Sequence, residues 1–133
     1  MPLSITSRVE NDIVILDLEG ALTLGPSLQF LRETARQSLT QSRTSGVIVN
    51  VKGVTLTDSA GLGELTVVYT LASKRGCRMI LAGVGQSLRT MLEVTHLDGL
   101  LPIASDIAAA KRLVKDARKN EPPALPELPD NGG

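Results

Sequence analysis

Residues 47–63 read Val-Ile-Val-Asn-Val-Lys-Gly-Val-Thr-Leu-Thr-Asp-Ser-Ala-Gly-Leu-Gly, and this stretch decides the fold. Val47 to Val51 is apolar at nearly every position, as in a parallel strand covered by helices on at least one face. From Ala60 to Lys74 the apolar positions Leu62, Leu65, Tyr69 and Ala72 recur at helical spacing. Between them, Thr57-Asp58-Ser59-Ala60-Gly61-Leu62-Gly63 sets a serine hydroxyl where a strand ends and a helix begins, with an acid beside it. Asp58 or Ser59 can cap the helix, since both residue types accept from first-turn N–H groups. Such a place also suits the addition and removal of a phosphate.

Outward from this centre the same two periods alternate. Leu3, Ile5, Ser7 and Val9 alternate with polar residues, and Ile13 to Leu18 forms a second apolar strand after the turn pair Asn11-Asp12, which predicts an antiparallel hairpin. Gly25-Pro26 opens a helix with Leu28, Leu31, Ala35 and Leu39 on one face. Arg78 to Ala82 reads as a fourth strand, Gly83-Val84-Gly85 as a loop, and Leu88, Met91 and Leu92 as a short helix. Leu100 to Ile103 reads as a fifth strand, at an edge because of Pro102, and Ser105 as the cap of a last helix with Ile107, Ala110, Leu113 and Val114 inward.

The order β-β-α-β-α-β-α-β-α predicts an α/β fold: a single domain with a five-stranded mixed sheet, four helices and the first strand antiparallel at one edge. The domain is expected over residues 1–118. Residues 119–133, rich in proline, are expected to form a flexible tail.

Composition excludes several classes of function. The 133 residues carry 14 basic and 14 acidic side chains, so no net basic field attracts nucleic acid or an anionic membrane. Aromatic residues are 2% of the chain, too few for a base-stacking platform. No secretory signal or membrane-spanning run is visible, and the lone Cys77 suits a reducing compartment, so a cytoplasmic protein is expected. Cys77 has no second ligand at metal spacing and is read as structural; neither a metal nor a cofactor is expected.

The segment Gly53-Val54-Thr55-Leu56-Thr57-Asp58-Ser59-Ala60-Gly61-Leu62-Gly63, together with the element order, resembles the STAS domain family, and within it the bacterial anti-sigma-factor antagonists. The resemblance spans residues 3–116. It implies that Ser59 is phosphorylated by an anti-sigma factor with serine-kinase activity, that the unphosphorylated form binds that factor and frees the sigma factor, and that a serine phosphatase restores it. Thr55 and Thr57 are minor acceptor candidates. The implied partner surface comprises Thr23, Leu24 and Gly25; Asp58, Ser59, Ala60, Gly61 and Leu62; Glu64; and Val84, Gly85 and Gln86. All lie at the carboxyl ends of parallel strands. Gly61 and Gly63 would keep the approach to the helix shallow. A small protein of this kind can instead serve in a lipid-transport ABC complex or a stress-signalling scaffold.

Three positions depart from the family pattern. Gly20-Ala21-Leu22-Thr23 lacks both acids of the usual Gly-Glu-Leu-Asp, Glu64 stands where an apolar residue is common, and His96 replaces a glycine suited to left-handed backbone. A serine hydrolase is the remote rival, because Asp58-Ser59-Ala60-Gly61 approaches Gly-x-Ser-x-Gly and His96 and Asp98 could complete a triad. The first glycine is missing, however, and the acid follows the histidine.

Overall fold

A computed structural model describes residues 2–41 and 43–120. β1 (Ser4–Glu10) and β2 (Ile13–Leu22) form the expected hairpin. Asn11 and Asp12 both have positive φ, 53° and 66°, the turn that matches strand twist in a two-residue connection. There follow α1 (Pro26–Gln41), β3 (Gly46–Thr57), α2 (Ser59–Lys74), β4 (Arg78–Ala82), α3 (Gln86–Val94), a single 3-10 turn (Leu97–Gly99), β5 (Ile103–Ala104) and α4 (Ile107–Asn120). The sheet order is β1-β2-β3-β4-β5, with β1 antiparallel to β2 and the other neighbours parallel.

The central strands are apolar throughout because both faces are covered. On one face Val14, Leu16, Leu18, Val47, Val49, Met79 and Leu81 meet Leu31 and Ala35 of α1, Leu65, Val68 and Ala72 of α2, and Leu88 and Leu92 of α3. On the other, Ile13, Ile15, Ile48 and Ile80 meet Ala110 and Val114 of α4. The alternation of Val and Ile along β3 thus separates two cores one residue apart. Lys111 of α4 pairs with Glu10 and fastens this helix to the hairpin.

Several boundaries differ from the sequence reading. β2 and β3 continue well past Leu18 and Val51, pairing as far as Leu22 with Thr57 through irregularities after Asp17 and Gly20. These bulges break the alternation on which a period-two reading depends. β4 stops at Ala82, opposite Asn50, so the last part of β3 projects beyond it.

The fifth strand is shorter and later than Leu100 to Ile103, because the chain completes a 3-10 turn first. Pro102 still joins the edge: its carbonyl accepts the Leu81 N–H at 2.9 Å, a role that needs no N–H of its own. Asp106, not Ser105, caps α4, its Oδ1 accepting the Ala109 N–H at 2.8 Å. Leu113 is 40% exposed on that helix, whose inward stripe is Ala110 and Val114. α4 runs to Asn120, past the expected limit at residue 118; of the tail expected over residues 119–133, residues 121–133 lie outside the described residues.

Candidate functional site

The projecting end of β3 delivers the chain to Asp58, whose extended backbone (φ −108°, ψ −178°) makes it the N-cap of α2. Its Oδ1 accepts the Gly61 N–H at 2.8 Å. Its Oδ2 accepts the N–H of Leu24, from the loop after β2, at 3.0 Å. Its own N–H donates to the Leu22 carbonyl at 3.3 Å. Hydrogen bonds from Leu24 first, and Gly61 next, hold this carboxyl below the usual Asp range.

Asp58 therefore does the capping, and Ser59 occupies the first helical position. Ser59 is exposed, and among the described residues its hydroxyl has no hydrogen-bond partner. The positive end of the helix dipole, with the first-turn N–H groups that no preceding helical turn can pair, lies beside it.

Gly61 is required here by packing. A Cβ at this position would stand 1.9 Å from the Leu22 carbonyl oxygen, so only glycine lets α2 begin against the end of β2. It is buried, and its role differs from the open approach expected of it. Gly63 is exposed, with nothing within 4 Å of its Cβ position.

The other expected contact residues divide by burial. Leu24, Gly25, Gly85 and Gln86 are exposed, and Thr23, Asp58, Ala60 and Val84 are half-buried. Leu62 is 4% exposed and belongs to the core, so it offers a partner nothing. Glu64 is only 6% exposed and turns toward α1, where Arg32 meets it with two hydrogen bonds, Nε to Oε2 at 2.8 Å and Nη2 to Oε1 at 2.9 Å. Glu64 thus takes a bidentate guanidinium partner within the molecule. It is the floor of a recess shared with Leu24, Gly25, Leu28 and Ala60, and the free contact expected from sequence is absent.

A smaller groove of about 150 Å³ runs between the end of β3 and the start of α3, lined by Val54, Leu56, Thr57, Gly85, Gln86 and Leu88 among others. Leu56 was not expected at the site. It is 62% exposed, and with Leu24 at 79% it places two aliphatic side chains on the elements that flank Asp58 and Ser59. The signal for it is an apolar residue between two threonines just before the cap, in a strand that outruns its neighbour.

His96 has left-handed backbone, φ 61° and ψ 23°, the geometry expected at this position from the sequence. It follows the end of α3, whereas Ser59 begins α2; both helices start from the carboxyl edge of the sheet, so the two residues are set at opposite ends of the helical layer. The triad drawn from the sequence is not assembled. Cys77 is buried, its thiol donating to the Thr44 carbonyl at 3.1 Å, in keeping with a structural part.

A family model described as the STAS domain matches residues 4–110. Among solved structures, the chain is similar to Moorella thermoacetica RsbS carrying a serine-to-glutamate substitution, with a TM-score of 0.76 at 16% identity over 86% of this chain and 97% of that one. An anti-sigma factor antagonist from Mycobacterium paratuberculosis superposes with a TM-score of 0.74 at 16% identity, over 86% of this chain and 96% of the other. The Bacillus cell fate determinant SpoIIAA in its phosphorylated form gives 0.65 at 19% identity, over 83% and 99%.

Proposed function

The chain belongs to the STAS domain family, and on that premise we propose that it is an anti-sigma-factor antagonist, a protein-binding module switched by phosphorylation of Ser59. The observation that carries this reading is the division of labour at the start of α2. Asp58 takes the cap, which leaves the neighbouring hydroxyl exposed and unbonded. Solved structures of anti-sigma factor antagonists, one of them phosphorylated, share the fold and support the direction of the argument.

In the unmodified state the partner, an anti-sigma factor with serine-kinase activity, docks over Ser59, with Leu24 and Leu56 as aliphatic anchors and the exposed Gly85-Gln86 start of α3 beside them. Exposed aliphatic side chains of this kind stabilise an interface in proportion to the area they lose to water. The partner then transfers the γ-phosphoryl group of ATP to the Ser59 Oγ: the hydroxyl proton leaves, the new P–O bond forms, and ADP departs. Asp58 is engaged by Leu24 and Gly61, so the base for that proton belongs to the kinase. A serine phosphatase reverses the step with water, releasing inorganic phosphate. The chain itself acts as substrate and ligand, not as catalyst.

The phosphate adds a charge of about −1.5 to −2 next to the Asp58 carboxylate. The helix start accommodates it, so the fold survives. A partner fitted to the bare surface must bury uncompensated charge, at a cost of several kcal/mol in order of magnitude, and every ~1.4 kcal/mol is tenfold in affinity. Incubation with the candidate kinase and ATP should add one phosphate by intact mass in the wild type and none in Ser59→Ala, which should still bind the partner. A phosphate gained by Ser59→Ala, with Thr55 or Thr57 as acceptor, would move the switch elsewhere.

A further inference from the structure

The Asp58 carboxylate joins two parts of the site that are distant in sequence. One oxygen caps Gly61 at 2.8 Å and the other holds the Leu24 N–H at 3.0 Å, across 34 positions. Among the described residues, the backbone of Leu24 makes no other hydrogen bond. The loop that presents the most exposed aliphatic side chain of the site is thus tied at Leu24 by a single oxygen atom. Gly25, at φ +156°, follows it immediately and joins it to α1.

We propose that Asp58 couples the charge on residue 59 to the position of the Leu24 loop, so that phosphorylation removes an anchor from the docking surface as well as covering it. The inference rests on the phosphorylation of Ser59. Its physical basis is that the two oxygens of Asp58 belong to one planar group and move together. A phosphate on the Ser59 Oγ competes for the same first-turn N–H groups that Asp58 uses, with greater charge and three acceptor oxygens. It also repels the adjacent carboxylate, which is ionised at neutral pH as an ordinary Asp is. When Oδ1 leaves Gly61, Oδ2 leaves Leu24. The phosphate replaces the lost cap, so α2 keeps its start, but nothing replaces the tie to the loop. Gly25 absorbs the change in direction without moving α1.

The coupling is tested in the full chain with phosphoserine installed at position 59 during translation, which needs neither kinase nor partner. The readouts are the NMR shift and hydrogen exchange of the Leu24 amide, with the Ala109 amide, capped by Asp106, as internal control. Phosphoserine should speed Leu24 exchange about tenfold, the range expected for losing one charge-assisted hydrogen bond, and leave Ala109 unchanged. Asp58→Ala, or Asp58→Asn if the alanine variant unfolds, should release Leu24 without any phosphate. Identical Leu24 exchange and shift in the serine and phosphoserine chains would overturn the coupling. That result would leave the switch itself standing, since coverage of the surface needs no loop movement; the switch is judged separately, by partner affinity of the same two chains.

Discussion

Two helices of this molecule start with the same two residue types in opposite order. α2 is entered through Asp58-Ser59 and α4 through Ser105-Asp106. In both, the aspartate caps the N–H three residues on, at 2.8 Å. At α4 the serine precedes its cap and stays outside the helix, and among the described residues the aspartate side chain bonds within its own turn alone. At α2 the serine follows the cap and stands at the first helical position, while the aspartate's second oxygen holds Leu24 of another loop. Capping stabilises both helices. Of the two, the order at α2 sets an exposed hydroxyl at the first helical position, on a surface that also bears the exposed Leu24 and Leu56.

The comparison breaks most severely at Gly61. Gly61→Ala pushes a Cβ against the Leu22 carbonyl, and backbone does not yield as a flexible side chain does; a loss of about 3 kcal/mol in urea unfolding is expected. Gly63→Ala meets open space in the same helix and should instead stabilise by about 0.5–1 kcal/mol through helix propensity. Equal effects at the two glycines would mean that the approach of α2 to β2 is looser than described.

Charge separates the two serines next. Ser59→Asp should weaken binding of the anti-sigma factor about a hundredfold, roughly 2.7 kcal/mol, with thermal stability within about 1 kcal/mol of wild type. Ser105→Asp, the same change beside the other cap, should leave affinity unaltered. Both are read by calorimetric titration and thermal melts.

Acid sharpens the contrast between the caps. Leu24 and Gly61 depress the Asp58 carboxyl, so its contribution to stability is complete above about pH 4, the ordinary Asp value, and is lost as the pH falls through the lower folded-state value. The stability gap between wild type and Asp58→Asn in urea should therefore narrow below that pH. Glu10, lowered by Lys111 and then Arg8, loses its contribution in the same direction in both proteins and cancels from the difference. The smallest effect concerns the other end of the helical layer. His96→Gly relieves left-handed backbone and should raise unfolding stability by about 0.5–1 kcal/mol, the strain being partly offset by the freedom of glycine in the unfolded chain.

What could be read from sequence follows the range of the physics involved. The hairpin at Asn11-Asp12, the strand and helix alternation, and the strand-to-helix placement of Asp58-Ser59 depend on neighbours within a few residues, and they were legible. The choice of Asp58 over Ser59 as cap was left open, since either side chain can accept the bond. The burial of Glu64 was not legible, because its partner Arg32 lies 32 positions away on another helix. Nor was the tie from Asp58 to Leu24, which exists only once α2 packs on the end of β2. Leu56 was missed for a related reason: bulges carry β2 and β3 past the point where alternation fails, and only that extension brings it to the surface beside the cap.

The most direct measurement is a calorimetric titration of the anti-sigma factor kinase from the same cell into two forms of the full chain, with serine and with phosphoserine at position 59. Tight binding of the serine form and a loss of about a hundredfold or more for the phosphoserine form, both forms folded, is the predicted result. Equal affinity for the two folded forms would contradict the account.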